Sequence, residues 1–153
     1  MDLEEGALLV SVARRAVEHY FATEKLYRPG GRGSSEKRGV FVSIYTHPAK
    51  DLRGCIGFVK PDMPLDEATA RAALAAAFDD PRFPPITPEE LPRVVFEVSV
   101  LTPPVPVDTE SRQELPVKIE VGKDGLILET PYGSGLLLPQ VPDEYGWNAE
   151  EYL

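Results

Sequence analysis

Apolar residues recur at three- and four-residue spacing near the start of the chain. Leu3, Ala7, Val10, Ala13, Val17, Tyr20 and Phe21 fall on one stripe and predict an amphipathic helix over residues 2–22. Asp2 with Glu5 three residues later has the pattern of a capping box. The period then changes. Residues 39–46 are rich in β-branched and aromatic side chains and predict a strand. Val40, Val42 and Ile44 face one way, and Phe41, Ser43 and Tyr45 the other. Both faces are largely apolar, so this strand belongs in the middle of a sheet. A turn at 47–51 leads into an antiparallel partner beginning Leu52-Arg53-Gly54-Cys55-Ile56-Gly57.

A second helix is predicted from Leu65 to about Phe78, opened by Pro64. Seven of the ten residues at 68–77 are alanine, which allows a close approach to a sheet. Asp79-Asp80-Pro81 ends it, since a residue before proline is pushed out of the helical region. Residues 94–101 predict another strand, with Glu97 on the face opposite Phe96. A carboxylate in mid-strand must be solvated or paired, so Glu97 is either a partner of Arg53 or Arg82 or a cross-strand surface charge. A proline-rich connector follows. Residues 117–121 alternate and predict a strand, Lys123-Asp124-Gly125 a hairpin turn, 126–130 its return, and 136–138 a short buried strand. Asn148 is placed to cap a final helix. Pro29 to Glu36, rich in glycine and serine, reads as a loop. It lacks the Gly-Lys-Ser/Thr ending of a nucleotide-binding loop.

Composition narrows the class. The chain has 153 residues, 42% of them hydrophobic, enough for a packed core. A single cysteine allows no internal disulfide and fits a reducing cytoplasm. The first residues are acidic, unlike a secretory leader, and no apolar run is long enough to cross a membrane. A formal net charge of -9 argues against broad nucleic-acid binding. A local basic patch nevertheless stands at Arg28, Arg32, Lys37, Arg38, Lys50 and Arg53. Sixteen prolines are compatible with a thermophilic source.

The candidate chemistry gathers at Cys55. A cysteine becomes nucleophilic beside positive charge or exposed amides. Arg53, two residues away in a strand, would share its face. Gly54 and Gly57 would leave room for a ligand to approach the backbone. The competing reading is a small buried hydrophobe. His47 is the nearest histidine and would serve only if the turn brought it close. The adjacent aspartates at 79 and 80 lack further ligands at metal-binding spacing, so no metal site is expected. The Gly-x-x-Gly pattern of the stretch also occurs in RNA-backbone clamps, but there it joins helices.

Leu52-Arg53-Gly54-Cys55-Ile56-Gly57 resembles the signature of the AMMECR family. Asp80-Pro81-Arg82-Phe83-Pro84-Pro85, Glu97-Val98-Ser99-Val100-Leu101, and Leu138-Pro139-Gln140-Val141 with Trp147 resemble its later motifs, in order. The resemblance implies an α+β fold: a mixed or antiparallel sheet with packing helices in a larger lobe, a smaller lobe, and a cleft holding the signature. It implies a single intracellular domain over 1–153 and no established reaction. It also implies a C-terminal helix and strand beyond Leu153, and association with Memo-like or radical-SAM proteins.

Three functions are therefore weighed. The first is an enzyme or small-ligand-binding protein, with Cys55 as reacting group and Glu97 orienting an arginine or moving protons. In it Arg53, Gly54, Gly57 and Arg82 would hold an anionic ligand, and the cofactor is left open. The second is a non-catalytic interaction module, and the third is RNA binding. An oligomer is compatible with all three.

Overall fold

The structure is a computed structural model and describes residues 2–30, 36–60 and 62–153. The loop expected over 29–36 therefore lies largely outside the described residues, as does Arg32. The chain divides into two compact units, Met1–Pro103 and Pro104–Leu153.

The first unit is a three-stranded antiparallel sheet with two helices on one face. Helix α1 (Leu3–Thr23) starts with the expected capping box. Asp2 accepts from the Glu5 amide at 2.9 Å, and Glu5 accepts from the Asp2 amide at 3.0 Å. Strands β1 (Val40–Thr46), β2 (Leu52–Phe58) and β3 (Val94–Val100) lie in the order β2-β1-β3. The two-sided apolar strand is thus central, as its pattern requires. Helix α2 (Leu65–Phe78) has the predicted bounds.

The core lies between the helices and the sheet face carrying Val42, Ile44, Val94 and Phe96. The buried stripe of α1 differs from the expected one. Leu9, Val12, Ala13, Ala16 and Val17 are buried, while Leu3 and Val10 are exposed. This helix is apolar on more than one side, so periodicity alone does not choose the face. Packing against the alanines of α2 chooses it: Ala13 and Ala16 of α1 are buried and let the two helices approach closely. Gly54 serves the same closeness. A Cβ there would fall 2.1 Å from the carbonyl oxygen of Ala76 in α2.

The second unit contains a hairpin of β4 (Leu126–Thr130) and β5 (Gly133–Leu137), with short helices α3 (Leu115–Lys118), α4 (Gln140–Tyr145) and α5 (Ala149–Tyr152). The strand expected over 117–121 is not formed. Pro116 sits in the first turn of α3, where its fixed φ and missing N–H favour a helix start. The turn before β4 centres on Gly122, at φ +81°, rather than on Asp124-Gly125. The β4–β5 turn is only Pro131-Tyr132, so β5 begins earlier than the expected 136–138. Asn148 caps α5 as predicted. Tyr152 is buried, its hydroxyl within 3.0–3.4 Å of the carbonyls of Asp124, Leu137 and Leu138.

Candidate functional site

The side of the sheet away from α1 and α2 carries a polar row. Cys55 on β2 stands opposite Ser43 on β1, and Ser43 stands opposite Glu97 on β3. The Ser43 hydroxyl donates to Cys55 Sγ at 3.2 Å. Ser43 is buried, Cys55 half-buried and Glu97 exposed. A thiol, a hydroxyl and a carboxylate thus cross one face in a line. Phe41 and Tyr45 flank Ser43 along the central strand, both half-buried.

Cys55 lies on an edge strand, and its backbone is held from outside the sheet. Its N–H donates to Asp80 Oδ2 at 2.8 Å, and its carbonyl accepts from Arg82 Nη2 at 3.3 Å. Asp80 and Arg82 also bind each other, through Nε to Oδ1 at 3.0 Å and Nη2 to Oδ2 at 2.8 Å. The Arg82 amide adds a contact to Oδ1 at 3.1 Å. Only 2% of the Asp80 side chain is exposed, against 55% for Arg82. Hydrogen bonding from Arg82 dominates the opposing effect of burial and holds the Asp80 carboxyl at about 2.

Arg53 is turned elsewhere. Ile44 pairs with Gly54 but Tyr45 pairs with Leu52, so Arg53 is the extra residue of a β-bulge. Bulges re-aim side chains. The guanidinium grips Glu90 through Nε at 2.9 Å and Nη2 at 3.2 Å. It also donates to the carbonyls of Pro84 at 2.8 Å and Pro85 at 3.3 Å. Arg53 draws the Glu90 carboxyl below its ordinary range.

Several expectations need correction here. Of the two readings of Glu97, the pair with Arg53 or Arg82 is not formed, since those arginines take Glu90 and Asp80, and the exposed carboxylate fits the cross-strand surface charge. The room left by Gly54 and Gly57 is used inside the protein. A Cβ on Gly54 would strike α2, and one on Gly57 would lie 2.3 Å from the Phe41 ring and 2.4 Å from the Val40 carbonyl. His47 lines a shallow depression with Thr46, Glu89, Glu90, Arg93 and Val94.

Ser43 and Glu90 were not singled out from the sequence, and Asp80 stood out only as half of an aspartate pair and as part of a family-like motif, not as a partner of β2. Ser43 was within reach, because it and Cys55 stand at equal distances on either side of Ala49 in the connecting turn. The contacts of Asp80 and Glu90 with β2 gave no such signal, because a lateral contact to a sheet edge has no sequence period.

The comparisons with known proteins agree with the fold and with the family resemblance. The AMMECR1 family model matches residues 10–153. A protein of Thermofilum pendens is 53% identical over 164 residues, covering 100% of this chain and 77% of its own length. A Methanocaldococcus jannaschii protein is 50% identical over 154 residues, with the same coverage. The crystal structure of an uncharacterised protein from Pyrococcus horikoshii superposes with a TM-score of 0.93 at 50% identity, covering 100% of this chain and 78% of that one. The relatives are archaeal and thermophilic, and their names state no activity. Among the described residues, no helix is long and apolar enough to cross a membrane.

Proposed function

We propose that this chain, which belongs to the AMMECR1 family, takes up a small molecule on the helix-free face of its first unit, with Cys55 as the reacting group. The carrying observation is the 3.2 Å hydrogen bond from Ser43 to Cys55 Sγ, in line with Glu97 on the next strand. A thiol half-open to solvent is available to an electrophilic centre. Ser43 fixes the direction of the sulfur. Glu97, with its Cβ about 5 Å from that of Ser43 as cross-strand partners are, accepts or returns a proton.

The ligand is small and partly apolar, because Phe41 and Tyr45 flank the row. An anionic group on it would meet Arg82, whose side chain is about half exposed. Arg53 supports the site from behind, through the loop it holds. A protein with one reduced thiol and this chemistry belongs in the cytoplasm.

The test is protection of the thiol. The folded protein is labelled at Cys55 with iodoacetamide, with and without the small-molecule fraction of a cell extract. Saturable protection that is weakened in Glu97→Gln supports the reading. Protection by a purified Memo-like or radical-SAM protein, with none from small molecules, would replace it with an interaction module.

A further inference from the structure

The geometry points to Asp80 as a positioning residue that sets the reactivity of Cys55 through the strand backbone. This inference rests on the reading of Cys55 as the reacting group. It starts from the hydrogen-bonding direction of an edge strand. The Cys55 N–H and carbonyl point away from β1, toward Asp80 and Arg82. Cys55 and Ser43 are therefore a non-hydrogen-bonded antiparallel pair, the kind in which facing side chains come closest. The 3.2 Å contact between Sγ and Oγ depends on that closeness.

An edge strand whose outward groups meet only water is free to fray and shift. At Cys55 both outward groups are instead held by one arginine–carboxylate pair. The pair is itself fixed in place. Asp80 follows α2 by two residues, and α2 is pressed against β2 at Gly54. The Phe83 amide donates to the Asp80 carbonyl at 3.1 Å, closing a turn with Pro81 at its second position. The Asp80 carboxylate then accepts from four donors: the Cys55 amide, the Arg82 amide, and Nε and Nη2 of Arg82. A chain of rigid contacts thus runs from α2 through Asp80 to the backbone of Cys55 and on to the sulfur. Asp80 touches no ligand in this account; it acts by holding Cys55 against Ser43.

The experiment compares wild type, Asp80→Ala, Asp80→Asn, Ser43→Ala and the Asp80→Ala/Ser43→Ala double variant, all in the full chain and in the folded state. Hydrogen exchange at the Cys55 amide and the iodoacetamide rate at its sulfur are measured. Asp80→Ala is expected to speed exchange at Cys55 and to change the labelling rate several-fold. Asp80→Asn keeps an oxygen for the Cys55 amide and is expected to restore most of the wild-type rate. The effects of Asp80→Ala and Ser43→Ala should not multiply, because both act on the placement of one sulfur. A purely structural Asp80 would lower stability yet leave the labelling rate of the folded protein unchanged, and that result would overturn the inference. So would effects that multiply. If Asp80→Ala does not fold, Arg82→Gln supplies the comparison, since it frees the Cys55 carbonyl. A wild-type Cys55 that labels only on unfolding would instead overturn the underlying reading, and this inference with it.

Discussion

Asp80 shows how much depends on the partner of a single charge. Its carboxyl is almost fully enclosed and is held at about 2, from an ordinary value of 3.8, chiefly by Arg82. A carboxyl depressed in the folded state stabilises the protein above its unfolded value, and that stability is lost as pH falls toward the folded one. The depression corresponds to about 2 kcal/mol at neutral pH. Denaturant unfolding between pH 5 and about 2 should therefore show wild type losing this stability as pH falls from 3.8. Asp80→Asn should be less stable at neutral pH and should lack that part of the acid dependence. Parallel curves for the two proteins would contradict the pairing. Residue chemistry at this scale was only partly legible in the sequence. Cys55, Arg53 and Arg82 stood out by type and neighbourhood. Which carboxylate each arginine would take did not, because Asp80 and Glu90 reach β2 from a loop, across long sequence separations.

At the level of elements, β2 joins the site to the fold. Its inner side is pinned by α2 at Gly54, its bulge turns Arg53 onto the loop at 84–90, and its outer edge is sealed at Cys55. Gly54→Ala should lower stability by about 3 kcal/mol, near the upper end for overpacking, because the new methyl meets backbone rather than a movable side chain. Thermal or denaturant unfolding measures it, and a loss below 1 kcal/mol would show that α2 can move aside. The elements of the first unit were legible because each has strong periodicity and clear punctuation: Pro64 opens α2, and the residues around Pro81 close it. In the second unit, the five alternating residues at 117–121 predict a strand, but Pro116 lies in the first turn of a helix that takes up Val117 and Lys118. The face of α1 was legible only in part: Ala13, Val17 and Phe21 lie against the core as the stripe predicts, while Leu3, Val10 and Tyr20 are exposed. A stripe shows that a helix is amphipathic, but the partner helix selects which small residues are buried.

On the scale of the whole molecule, both core clusters found among the described residues lie within the first unit. A fragment of residues 1–103 should therefore unfold cooperatively by circular dichroism, and a fragment without a cooperative transition would show that its core needs the rest of the chain. The second unit relies on Tyr152, whose hydroxyl lies among three carbonyls. Tyr152→Phe should cost about 1 kcal/mol of stability, the usual net worth of one hydrogen bond. The proposed function requires the sulfur of Cys55 to be available in the native protein and directed by Ser43. The most direct measurement is the rate of iodoacetamide labelling at Cys55 in the folded wild type, in folded Ser43→Ala and in the urea-unfolded chain. The expected result is labelling of the folded wild type without prior unfolding, at a rate that Ser43→Ala changes several-fold. A thiol silent until the chain unfolds, or a rate indifferent to Ser43, would contradict it.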